Sequence, residues 1–151
     1  MNDGLRDLYQ EIILDHNRSP RNFRAIEEPD RRVEAYNPLC GDRYTIYLSI
    51  DGDVITDVSF EGAGCAISKA SASIMSSMVK GRTKAEAEEL FGIFHRLVTG
   101  EKVSAEEVER VGKLAAFTNV SKFPARVKCA SLAWHTLEAA VRGAGVPVST
   151  E

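Results

Sequence analysis

The chain has 151 residues, 44% of them hydrophobic and 27% charged, and a net charge of −3. This is the usual size of one domain with its own core, and the composition excludes a disordered or collagen-like chain. No basic stripe of the kind that marks a nucleic-acid binder dominates. The local run of Arg18, Arg21, Arg24, Arg31 and Arg32 reads as a solvated or protein-docking surface, so no nucleic-acid partner is expected.

The N-terminal MNDGLRDLYQ has no apolar signal-peptide core, and no run reaches the roughly 18 apolar residues of a membrane helix. A cytoplasmic protein without a membrane partner is the expectation. Leu5, Leu8, Tyr9, Ile12, Ile13 and His16 recur at helical spacing and predict an amphipathic helix over 5–16. Ser19-Pro20 ends it, and a polar loop follows to about Arg31. A strand is expected from Arg32 to Tyr36. Tyr44, Ile46, Leu48 and Ile50 alternate with Thr45, Tyr47 and Ser49, Asp51-Gly52 signals a hairpin, and Ile55, Val58 and Phe60 continue the next strand.

From Cys65 onward the pattern is helical. Ala66–Lys80 forms one helix, closed by Gly81. Thr83-x-x-Glu86 is a capping box that opens a helix to about Val98. Ser104-x-x-Glu107 opens another to about Phe117. Phe123-Pro124 starts the last, which ends at Arg142-Gly143. The expected fold class is α+β: a small three-stranded antiparallel sheet with about five helices packed against it and a metal site at one end. Residues 1–151 read as a single domain, with 144–151 a loose tail.

The three cysteines are an odd number in a reducing compartment, so a disulfide framework is not expected. They are either small buried hydrophobes or ligands. Cys40 sits in Asn37-Pro38-Leu39-Cys40-Gly41-Asp42, a turn in front of a strand. A Cys-x-Asp spacing across a glycine can aim both side chains at one point. Cys65 follows Gly62-Ala63-Gly64 at the start of a helix, where the dipole favours thiolate. Cys129 lies inside the last helix among Val127, Ala130 and Leu132, where a core reading weighs as much as a ligand reading. No CxxC or HxxxH is present, so spacing alone points weakly to metal. Taken together, three thiolates and one carboxylate make a four-ligand set suited to tetrahedral zinc, and thiolates also suit iron–sulfur chemistry.

The segments Leu8-Tyr9 to His16, Pro20-Arg21-Asn22, Asn37 to Asp42, Gly62 to Ser68 with Ala70-Ser71, and Phe123 to Cys129 occur in one order along the chain. In these the chain resembles the U-type iron–sulfur cluster assembly family, which includes IscU and the NifU N-terminal domain. It is nearest the zinc-binding SufU subgroup of that family. Two features point to that subgroup. Lys128 stands where IscU-type scaffolds have a histidine before the third cysteine, and the stretch between the second and third cysteines is longer.

The resemblance implies that Cys40, Asp42, Cys65 and Cys129 hold zinc. It implies a cysteine desulfurase (SufS-like) as partner, with Cys40 accepting its persulfide sulfur; the mobile Pro/Gly turn favours Cys40 for that role. The protein would then be a zinc-dependent sulfur acceptor rather than a conventional enzyme. Downstream cluster-assembly or apo iron–sulfur proteins would follow. One alternative is a scaffold on which the same four residues build a transient [2Fe–2S] cluster; another is a purely structural zinc domain. His16, His95 and His135 read as structural or surface residues, Trp134, Leu132, Leu137 and Val141 as core, and Arg126 as either partner-contacting or solvated.

Overall fold

The N-terminal periodicity becomes helix α1, Asp3–Arg18, in the computed structural model, which describes residues 3–143 and 148–149. Tyr9, Ile12 and Ile13 pack against the core, and His16 is buried and bonded through Nδ1 to Ser73 Oγ at 2.7 Å. Leu8, on the same stripe, stays 55% exposed, so the packed face begins at Tyr9, nearly two turns into the helix. The following loop is tethered. Asn22 adopts a left-handed φ of 56°, accepts the Phe60 N–H at 3.1 Å, and lets the Arg24 N–H reach Phe60 O at 3.0 Å. Four of the early arginines are paired on the surface, most closely Arg21 with Asp15 at 2.8 Å and Arg24 with Asp57 at 2.7 Å, more loosely Arg18 with Glu11 at 4.0 Å and Arg32 with Glu34 at 3.7 Å.

Three antiparallel strands follow: β1 (Arg31–Asn37), β2 (Asp42–Asp51) and β3 (Val54–Ala63). A two-residue β4 (Val148–Ser149) pairs parallel to β1 and completes the order β3-β2-β1-β4. It lies in the stretch expected as a loose tail; the rest of that stretch falls outside the described residues. Gly52, at φ 62°, turns β2 into β3. Alternate residues Asp42, Tyr44, Ile46 and Leu48 of β2 are all buried, as the period of two requires.

Helices α2 (Ala66–Val79), α3 (Lys84–Thr99), α4 (Ala105–Val111) and α5 (Pro124–Arg142) supply the cover. α2 and α5 contact each other and the sheet. Both expected capping boxes form, at Thr83–Glu86 and Ser104–Glu107. The expected helix from Ser104 to Phe117 does not run through. It stops at Val111 because Gly112 takes φ 51° and ψ −122°, a conformation essentially reserved for glycine. A 3₁₀ segment, Gly112–Lys122, then carries Leu114 and Phe117 into the core beside Phe94 and Trp134. Trp134, Leu132, Leu137 and Val141 are buried as expected. Among the described residues no helix is long and apolar enough to cross a membrane. The β1–β2 loop, the β3–α2 junction and the second turn of α5 meet at one end of the sheet.

Candidate metal centre

The β1–β2 hairpin carries the first two candidates. Asn37 and Asp42 face each other as the last ladder pair, and residues 38–41 loop between them. The Cys40 N–H closes the loop onto Asn37 O at 3.2 Å, and Gly41 at φ 71° turns the chain back into β2. Cys40 is thereby left exposed at the tip, while Asp42, one step into the strand, is only 2% exposed. At the β3–α2 junction Cys65 is the N-cap of α2, its sulfur accepting the Ser68 N–H at 3.4 Å. Its own N–H donates to Asp42 Oδ1 at 2.8 Å. Cys129 comes in from α5, buried, with its thiol on Cys40 Sγ at 3.0 Å.

Ligand atoms of Cys40, Asp42 and Cys129 lie within 4.8 Å of one another. The Cys65 thiol stands just outside this group, turned towards Ser68, yet near enough to act on Cys129. Burial first, then the Cys40, Cys65 and Asp42 neighbours, push the Cys129 thiol well above its ordinary range. Four acidic groups thus converge, and among the described residues no Lys, Arg or His forms an ion pair with the buried Asp42. Such a set is costly unless a cation settles it. Zinc with bonds near 2.3 Å to sulfur sets thiolates about 3.8 Å apart; the Cys40 and Cys129 sulfurs stand at 3.0 Å, so a small separation of the exposed Cys40 loop would bring them to that spacing. The donor set fits such an ion.

Three supporting residues were not legible as site residues in the sequence. Asn37 Nδ2 donates to Asp42 Oδ2 at 3.1 Å and to Cys129 Sγ at 3.3 Å. Ser68 Oγ pairs with Tyr44 O–H at 2.9 Å and with the Cys65 carbonyl at 3.1 Å. Burial pushes the Tyr44 phenol up, so it stays a neutral hydrogen-bonding group. Gly64 makes the close approach possible: a Cβ there would stand 2.5 Å from Asp42 Oδ1, 2.5 Å from Tyr44 Oη and 2.7 Å from Ser68 Oγ. A capping signal could have flagged Ser68, had the cap at 65 been one of the usual oxygen-bearing residues. Asn37 read as an ordinary Asn-Pro turn residue.

The histidines lie elsewhere. His16 joins α1 to α2, and His95 and His135 face each other across α3 and α5, ring centroids 6.0 Å apart. Arg126 is exposed, its guanidinium 4.9 Å over the Phe123 ring.

Residues 8–130 match the family model for the NifU-like N-terminal domain. This chain belongs to the NifU-like N-terminal domain family. Over 93% of its length and 93% of the relative's, it is 40% identical to the zinc-dependent sulfurtransferase SufU of Bacillus subtilis. It is 36% identical to the iron-sulfur cluster assembly scaffold protein IscU of Streptococcus pyogenes, over 91% of this chain and 85% of that one. Among solved structures, a Fervidobacterium islandicum protein described as a candidate cluster-assembly scaffold for the SUF system superposes with a TM-score of 0.82. It is 36% identical, with 93% and 99% of the two chains covered. The NifU-like fold thus accounts for the sheet and the helical cover.

Proposed function

We propose that this chain serves iron–sulfur cluster assembly by accepting sulfur from a cysteine desulfurase, at a zinc site made by Cys40, Asp42, Cys65 and Cys129. The observation that carries this reading is the buried Asp42 carboxylate. It shares a 4.8 Å space with two thiols, has a third thiol's residue bonded to it, and among the described residues forms no ion pair with a basic side chain. The identity to a zinc-dependent sulfurtransferase supports the same reading. The reducing cytoplasm, where thiols persist, is the compartment it suits.

Zinc, when bound, holds its thiol ligands as thiolates near neutral pH. The chain's residues divide the remaining work. Cys40 is the exposed thiol, so it is the one an incoming sulfur donor can reach. Its thiolate attacks the outer sulfur of the desulfurase cysteine persulfide. The S–S bond of that persulfide breaks, the desulfurase cysteine leaves as thiolate, and Cys40 carries the new persulfide. No net oxidation occurs. Buried Cys129, and Cys65 capped by the Ser68 N–H, stay in place.

The test is alanine release by the cognate desulfurase with a thiol reductant, with and without the zinc-loaded protein. Strong stimulation, lost in Cys40→Ala, is expected. Normal persulfide loading of Cys40→Ala would remove Cys40 from the acceptor role. A second reading draws on the identity to a protein named as an assembly scaffold: the same donors hold a [2Fe–2S] cluster as cargo. Anaerobic addition of iron and sulfide would then give a stable chromophore transferable to an apo-protein. A purely structural zinc domain would show neither behaviour.

A further inference from the structure

One buried residue touches every member of the three-donor group. The Asn37 carbonyl accepts the Cys40 N–H at 3.2 Å, and its side-chain amide reaches Asp42 Oδ2 at 3.1 Å and Cys129 Sγ at 3.3 Å. An amide nitrogen carries two hydrogens, and both bonds use that nitrogen. The opposite orientation of the amide would set its oxygen against a carboxylate and a sulfur, acceptor against acceptor, so the chemistry decides which end faces them. The other end is left over: Oδ1 is buried without a partner. A buried oxygen left unpaired costs stability. Asn37 satisfies the end that faces the donors.

The four candidate ligands are consequently held unequally. Asp42 receives two N–H donors, from Asn37 and Cys65. Cys129 receives one from Asn37. Cys65 receives the Ser68 N–H. Cys40 is exposed, and the described contact of its sulfur is the Cys129 thiol. We propose that Asn37 is the positioning residue of this centre, its amide clamping Asp42 and Cys129 as fixed ligands so that Cys40 is the one released. The release of Cys40 rests on the sulfur-transfer reading; the clamp on the metal does not.

Two variants separate a clamp from a packing role. Asn37→Ala removes the amide and its volume. Asn37→Leu keeps the volume, removes the donors, and also removes the unpaired Oδ1. The expected result is that both raise the zinc dissociation constant about 10- to 100-fold, measured by competition with a chromophoric chelator, Leu as much as Ala. The visible bands of the cobalt-substituted protein should shift in both, while the metal-free Leu variant melts no lower than the wild type. After reaction with the desulfurase, mass mapping should find persulfide on Cys40 alone in the wild type and on Cys129 as well in the variants. A Leu variant that binds zinc within twofold of the wild type with unchanged cobalt bands overturns the clamp. If the Leu variant does not fold, the Ala variant decides on the same two criteria. Should the wild type fail to stimulate the desulfurase while both variants still weaken zinc, the sulfur-transfer reading falls and the clamp stands.

Discussion

At the scale of single residues, the site works by close approach. Gly64 shows it best. Its backbone needs no special conformation, but its missing Cβ leaves room for Asp42, Tyr44 and Ser68, each of which would lie within 2.7 Å of a Cβ. Two of the three are polar partners of one another, and none is a loose side-chain end free to move away. Gly64→Ala is therefore expected to cost about 1–3 kcal/mol by overpacking and to spread the donor group. The melting temperature and the zinc content per chain, measured on the purified protein, should both fall; an alanine variant with full zinc content would mean the junction relaxes. At this scale the candidate site was partly legible. Cys40, Asp42 and Cys65 stand beside Pro38, Gly41, Gly62 and Gly64, residues that punctuate turns, and turns carry sites. Cys129 gave no such signal. Its neighbours Val127, Ala130 and Leu132 fit a core helix equally well, and only the packing of α5 against the sheet end brings its sulfur to Cys40.

At the scale of elements, helices and hairpins were legible because their ends are written in local chemistry: Thr83–Glu86 and Ser104–Glu107 cap helices, and Gly143 at φ 79° closes α5. Gly112 was the exception. It sits inside an otherwise helical stretch, where a lone glycine can be tolerated at a cost of about 1 kcal/mol. Equally hidden was the seam between α1 and α2. His16 and the Arg21 N–H both bond Ser73 Oγ, at 2.7 and 2.8 Å, so one serine of α2 gathers the end of α1 and the start of the loop. Burial, then the charges of Arg21 and Lys113, lower the His16 pKa from 6.5 to about 4, against a smaller upward pull from Asp15. An unfolded histidine takes up its proton near 6.5, whereas the folded one stays neutral down to about 4. Unfolding therefore binds an extra proton across that window, and stability falls as pH drops through it, by up to an order of 3 kcal/mol. Above pH 6.5 the contribution is complete and flat. Urea unfolding at pH 7.5 and pH 5 should show a larger loss for the wild type than for His16→Gln. Equal losses in the two proteins would mean that His16 does not control this slope.

At the scale of the molecule, the centre joins parts of the chain that are far apart in sequence: the β1–β2 loop, the start of α2, and α5. An ion bound there ties the sheet end to two helices, and by mass action a ligand present at a thousandfold over its dissociation constant adds about 4 kcal/mol. Chelating the metal should accordingly lower the melting temperature. It should also change what the thiols can do. All three cysteines are free, and the Cys40 and Cys129 sulfurs stand 3.0 Å apart, nearer than two sulfurs in simple contact but not bonded. Cys65 is engaged with Ser68 instead. Exposed Cys40 gives an oxidant access, and buried Cys129 is near enough to resolve the first adduct. Treating the metal-free protein with diamide, which takes up two electrons and two protons, should yield one dominant disulfide, Cys40–Cys129, found by peptide mass mapping without reduction. The zinc-loaded protein should resist, because both sulfurs are then occupied as ligands. A dominant bridge through Cys65 would show that the β3–α2 junction rearranges when the metal leaves. Equal oxidation with and without zinc would show that these thiols do not hold it.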